Sequence, residues 1–192
     1  MANGTPVVVP VHKVTHCACW KEGKHYSELV IDAVLPGTPE RIHNLMFASE
    51  FFEDVMRMNQ KLGGKLSVLI ERTRTNGTLS LTDIQMSDWA PTSSESNCLA
   101  HNMSYVKPLN RSIGPRSTKC EIHDEMVHSD LDNYISMFMM THTPDVPTGS
   151  VCSVKTQTCI TWASSASSQV VVSIQVEWMG PSFMKGTLKT NS

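Results

Sequence analysis

The sequence predicts an α+β domain built on a long-stranded antiparallel sheet, and three observations carry that reading. Five long segments of mostly alternating polarity follow one another from Cys98 to Trp178. The links between them are short and rich in Gly, Pro, Asp and Ser, so sequential strands pair as a meander. Helical spacing is confined to the stretch from Thr38 to Gly64.

In chain order, residues 1–13 carry Gly4, Pro6 and Pro10 and read as a flexible lead-in, with residues 14–192 as the domain. A length of 192 residues suits one core and is tight for two. Val14–Trp20 and His25–Leu35 read as strands on either side of the turn Lys21–Lys24. Thr38 caps a first helix, with Pro39 at its first position, Glu40 near the positive end of its dipole, and Ile42, Leu45 and Met46 at helical spacing. A second helix is expected from Ser49 or Glu50, carrying Phe51, Phe52 and Val55 up to Gly63-Gly64. Leu66–Glu71 and Thr78–Ile84 flank Asn76-Gly77, a type I′ hairpin signal in an otherwise exposed stretch.

The expected long strands are Cys98–Lys107, Ser117–His128, Asn133–Thr143, Val151–Trp162 and Gln169–Trp178. In the last, Val170, Val172, Ile174, Val176 and Trp178 oppose Gln169, Ser173, Gln175 and Glu177. In the strand before it, Val154, Thr156, Thr158, Ile160 and Trp162 oppose Ser153, Lys155 and Gln157. Cys120, Ile122 and Met126 oppose Lys119, Glu121, His123 and Glu125, and Met137, Phe138, Met139 and Met140 add adaptable apolar bulk. One face is therefore apolar, and two short early helices are a small cover for strands of ten to twelve residues, roughly 35 Å long. Core packing, a partner and an apolar ligand all remain open occupants of that face.

Other functional classes find little support. The net charge is −2 and the 16 Lys and Arg form no stripe, which argues against nucleic-acid binding. No stretch approaches the apolar length of a membrane span, and Met1–Val11 does not read as a signal peptide, so a soluble chain with reduced thiols is expected despite six cysteines and sequons at Asn3, Asn76, Asn102 and Asn110. On a strand His123 and Glu125 share a face that excludes Asp124 and His128, so these four cannot converge on a metal or on acid–base work. His12, His16, Cys17 and Cys19 match no standard zinc spacing. Phosphate loops, nucleophile elbows and His-Glu-X-X-His are missing, so no cofactor or metal is expected; the remaining acid–base pairing, Asp124 with His142, has no spacing in its favour.

Several runs are distinctive: Met103–Asn110, Ile113–Cys120, Thr143–Gly149, Val154-Lys155-Thr156 and Cys159-Ile160-Thr161-Trp162, together with Leu29–Phe47 and Val176-Glu177-Trp178. In this order they resemble the VASt domain, the StART-like sterol-binding domain of the fungal Lam/Ltc proteins and, more distantly, of the animal Aster proteins. The resemblance implies a helix-grip fold, a curved antiparallel sheet closing with helices on an apolar cavity for one sterol. It implies exchange of an ergosterol-like ligand between membranes without catalysis, by a monomeric domain that touches anionic membrane transiently. The location implied is the cytosolic face of the endoplasmic reticulum at membrane contact sites, within a longer, membrane-anchored protein. Against the family pattern, residues 63–80 read as an insertion, and the closing helix begun at Trp178–Gly186 reads as truncated.

On that resemblance the cavity wall falls to Cys120, Ile122, Met126, Ser136, Phe138, Met140, Val154, Thr156, Thr158, Ile160, Val172, Ile174 and Val176, with Phe51, Phe52 and Val55 as helical cover. Thr156, Thr158 and Ser136 are expected to meet the sterol hydroxyl, and Lys61 and Lys65 to meet headgroups. The competing expectation is a protein-interaction module whose apolar sheet face docks a partner helix.

Overall fold

The computed structural model describes residues 12–21, 23, 25–48, 81–92, 98–109, 113–147 and 149–179. Its framework is one eight-stranded antiparallel sheet: β1 (Glu28–Pro36), β2 (Thr82–Met86), β3 (Ala90–Pro91), β4 (Leu99–Pro108), β5 (Ser117–Asp130), β6 (Tyr134–His142), β7 (Cys152–Ser164) and β8 (Ser167–Trp178). The spatial order is β1-β8-β7-β6-β5-β4-β2, with β3 also on β4, so β4 through β8 form the expected meander and β1 returns to its far edge. The five long strands match the predicted ones to within three residues at each end.

Register decides which side chains share a face. Val154, Thr156, Thr158 and Ile160 of β7 stand opposite Val176, Ile174, Val172 and Val170 of β8. Ile160 and Thr158 face Ile135 and Met137 of β6, and Met137 faces Met126 of β5. These residues form the inner face. The predicted helix at Thr38 packs here: α2 (Pro39–His43) is capped by Thr38, whose hydroxyl oxygen accepts from the Arg41 N–H at 3.2 Å, and a single π-helical turn, Asn44–Ala48, continues it. Ile42 joins Ile135, Met137, Ile160, Val170 and Val172 in the core cluster, with Met46, Phe47, Trp89 and Met126 against it.

The segment read as a strand over Val14–Trp20 is not one. Residues 12–17 run without regular structure into a four-residue helical turn, α1 (Ala18–Lys21). The cause is tertiary: the Thr15 N–H donates to the Trp162 carbonyl at 3.0 Å, and its hydroxyl accepts from the Trp162 N–H at 2.9 Å and donates to the Asn133 carbonyl. Thr15 thus occupies the place beside β7 where β6 has ended, and the chain then turns away from the ladder. The second helix with Phe51, Phe52 and Val55, the Asn76-Gly77 hairpin, the insertion at 63–80, Lys61 and Lys65, and the truncated C-terminal helix lie outside the described residues.

The β6–β7 connection explains one distinctive run. The Gly149 N–H donates to the Val146 carbonyl at 2.8 Å, and a Cβ at Gly149 would stand 1.7 Å from the Thr143 carbonyl oxygen, so only glycine lets the turn close. Asp145 in the same turn accepts the Lys119 backbone N–H at 2.9 Å, tying it to β5. Gly149→Ala is expected to destabilise the domain by roughly 2 kcal/mol or more, through loss of backbone closure, in a urea melt. Burial holds the His43 imidazole below its ordinary value of 6.5, with its Nε2 buried and unpartnered. A depressed histidine contributes stability that is complete above pH 6.5 and is lost as pH falls through the folded value. Acid melts followed by circular dichroism should therefore show a loss below that pH that shrinks in His43→Gln.

Candidate functional site

Along β7 and β8, cover on the inner face fades from one end to the other. Along β7 the exposure rises from 0% at Ile160 and 5% at Thr158 through half-buried Thr156 to 36% at Val154. Along β8 it rises from 2% at Val170 and 8% at Val172 through half-buried Ile174 to 44% at Val176. The buried end is where α2 sits; the open end is a contiguous apolar strip on two paired strands. The described helical residues are too few to cover thirteen- and twelve-residue strands.

Ten of the thirteen residues expected to wall a cavity fall on this face: Cys120, Ile122, Met126, Val154, Thr156, Thr158, Ile160, Val172, Ile174 and Val176. Ser136, Phe138 and Met140 do not. They pair with Cys159, Gln157 and Lys155 and belong to the outer face, because β6 places Ile135, Met137, Met139 and Thr141 inward. Its unbroken apolar run hid that parity from a reading by alternation. A second correction concerns His128: a bulge between Met126 and His128 puts it opposite Ser136, on the outer face with His123 and Glu125. Asp124 and His142 lie on opposite faces, which removes the acid–base pairing that an enzyme would need.

Asp124 instead meets His101, which the sequence reading missed because the two are 23 residues apart on neighbouring strands. Asp124 Oδ2 and His101 Nε2 are 3.0 Å apart, both side chains are about 95% buried, and Trp89 stacks on the imidazole at 4.1 Å between centroids. Burial pushes the Asp124 carboxyl above its ordinary value, against the pull of the neighbouring His101 ring. His101 Nδ1 and Asp124 Oδ1 are buried without a protein partner, so the pair is a half-satisfied polar point inside an apolar face.

The outer face carries a separate hollow of about 630 Å³ between β2 and β7, bordered by Asn102, Ser104, Glu121, His123, Met140, His142 and Ser153, with Gln85, Ser87 and Met179 at its rim. Glu121 is held below its ordinary value by Lys119 at 2.9 Å, and His142 lies 3.9 Å from it. Met86, Met103 and Ile122 also line the hollow, so its wall mixes polar and charged groups with a larger share of apolar ones. His12 and His16 do not join the cysteines beside them: His12 stacks on Trp162 and His16 on Trp20.

A helix laid on one end of a long-stranded antiparallel sheet, with an apolar strip left exposed on β7 and β8, is the geometry of a binding domain. Residues 29–192 match the family model of the VAD1 Analog of StAR-related lipid transfer domain, and the chain belongs to that family. It is a lipid-binding, non-enzymatic domain. An uncharacterised membrane protein of Schizosaccharomyces pombe is 35% identical over 111 residues, covering 57% of this chain and 14% of that protein. The membrane-anchored lipid-binding protein LAM5 of Saccharomyces cerevisiae is 35% identical over 91 residues, 47% of this chain and 14% of that protein. The chain therefore spans about a seventh of these relatives' length. No helix among the described residues is long and apolar enough to cross a membrane.

Replacing one member of the His101–Asp124 pair leaves the other unpaired in the interior. His101→Phe and Asp124→Leu are each expected to cost roughly 1–3 kcal/mol in denaturant melts, and the double variant less than their sum.

Proposed function

We propose that this domain holds one sterol on the open half of the inner face and carries it between membranes. The carrying observation is the gradient of cover along β7 and β8, which leaves Val154, Val176 and half-buried Thr156 and Ile174 as an apolar strip next to a fully packed core. Lipid binding by the family, the motif-by-motif resemblance to the sterol-binding VASt domain and the name of the yeast relative support the ligand class. A sterol hiding about 500 Å² of apolar surface would gain roughly 12 kcal/mol before the costs of association, ample for retention in water. Thr156 and Thr158 offer hydroxyls on the correct face for the single sterol hydroxyl; Ser136, on the outer face, does not.

Delivery requires the open end to meet a membrane. The β4–β5 and β6–β7 connections lie at that end, since Ser117 of β5 and Cys152 of β7 begin there, and Ile113 in the first is 91% exposed. Ile113 enters the headgroup region while the lipid leaves between the strands' ends. Lys61 and Lys65 remain proposed contacts to anionic lipid. The cytosolic face of the endoplasmic reticulum at membrane contacts is the proposed setting, with anchoring supplied by the rest of a longer protein and this domain acting as a monomer.

Titration of the full chain with a fluorescent sterol should saturate at one per chain. Val154→Trp should weaken binding at least about tenfold with a folded circular dichroism spectrum, since it fills the strip. Ile113→Glu should leave binding intact and slow vesicle-to-vesicle transfer. Absence of saturable binding by folded wild-type protein rejects the reading and favours a face that docks a partner helix.

A further inference from the structure

The outer face behind the core strands gathers three thiols and an imidazole that lipid binding does not use. Cys17, Cys19, His25 and Cys159 bring their ligand atoms within 4.8 Å of one another. Cys17 Sγ and His25 Nε2 are already 3.2 Å apart, near the edge of roughly 3.3–3.8 Å that tetrahedral zinc imposes between sulfur and nitrogen ligands. Cys17 and Cys159 are 2% and 1% exposed, while Cys19 and His25 are half-buried. We infer that these four side chains form a structural metal site of the Cys3His class, taking Zn²⁺, which fastens the segment before β1 to β7.

Packing alone gives a poor account of this segment. Its large apolar side chains are exposed, Val14 by 58% and Trp20 by 56%, and α1 is a single turn with no stability of its own. What it buries instead is sulfur against sulfur and sulfur against imidazole. Cysteine buried as a small hydrophobe would meet apolar neighbours. Here Cys17 meets both Cys159 and His25, and Gln157 Nε2 donates to Cys19 Sγ at 2.9 Å. The Ser136 hydroxyl lies 3.8 Å from Cys159 Sγ. Such donors around the sulfurs are what orient and stabilise metal thiolates.

Zn²⁺ entering the site displaces the thiol protons to solvent, leaving three thiolates, one neutral imidazole and a net charge of −1. A filled four-coordinate shell leaves no open position, which makes the site structural and not catalytic.

The spacing hid the set. Cys17-X-Cys19 and His25 are local, but Cys159 comes from the middle of β7, and only the folded sheet delivers it. The consequence is mechanical: His25 lies three residues before β1, so the metal ties the entry of an edge strand to a central strand two places away.

Metal analysis of the purified full chain, made without chelator, is expected to find about one zinc per chain. Titrated Co²⁺ should give the intense visible bands and the thiolate charge-transfer band of a tetrahedral thiolate site. Cys19→Ser and His25→Ala, both at half-buried positions and so compatible with folding, should lose at least about tenfold in zinc affinity, while Cys98→Ser and Cys152→Ser keep it. A strong chelator should lower the wild-type melting temperature by roughly 5 °C or more and leave Cys19→Ser unmoved. Folded wild-type protein that binds no zinc or cobalt, with its thiols free, overturns the inference. So does a non-reducing mass spectrum showing loss of two hydrogens to a disulfide among Cys17, Cys19 and Cys159.

Discussion

The pairing of β7 with β8 is the constraint from which the rest of the domain follows. Over this ladder Val154, Thr156, Thr158 and Ile160 meet Val176, Ile174, Val172 and Val170, so four consecutive cross-strand pairs put branched side chains on one face. Each such pair is worth roughly 0.2–1 kcal/mol, and a slip of one residue would turn the whole set to the other side. With that register fixed, β6 and β5 can add only in the parity that brings Ile135, Met137 and Met126 to the same face. β1 closes the other edge with Ile31 and Ala33 opposite Val172 and Val170. The sheet is thus committed to an apolar inner surface before any helix is placed.

What covers that surface then becomes the functional question. α2 and its π-helical continuation are short, and Ile42, Met46 and Phe47 pack on the end built from Ile135, Ile160 and Val170. On β7 and β8 the opposite end keeps the same side-chain chemistry without the same burial, while Met103, Cys120 and Ile122 on β4 and β5 stay buried there. In the proposed reading, an apolar strip continuous with a packed core serves as the lipid site, its strands held in register by the half that is fully packed. The His101–Asp124 pair under Trp89 adds one fixed polar point to the inner surface and lowers its uniformity.

The outer face follows different chemistry. Ser136, Gln157 and Ser173 alternate with the inner residues and give the segment before β1 something to bind: Tyr26 N–H donates to Ser173 Oγ at 3.2 Å, and Gln157 donates to Cys19. Cys159 sits among them on the same side as Ser136. Two neighbouring residues of one strand, Cys159 and Ile160, therefore serve opposite tasks, one toward the thiol cluster and one at 0% exposure in the core. That division comes from the two-residue period of a strand.

The amino-acid sequence by itself determined the antiparallel α+β class, the five long strands, the capped helix at Thr38 and the inward residues of β5, β7 and β8. Those features rest on local periodicity and turn chemistry, which a short window contains. Motifs spread along the chain also carried the family. The parity of β6 was not legible, because Met137–Met140 is apolar at every position and only pairing with β5 and β7 separates Phe138 and Met140 from Met137 and Met139. The strand expected at Val14–Trp20 failed because Thr15 is claimed by Trp162, a residue nearly 150 positions away. His101 with Asp124, and Cys159 with Cys17, Cys19 and His25, were out of reach for the same reason. Their chemistry depends on distances of a few ångströms between distant parts of the chain, and only the folded sheet sets those distances.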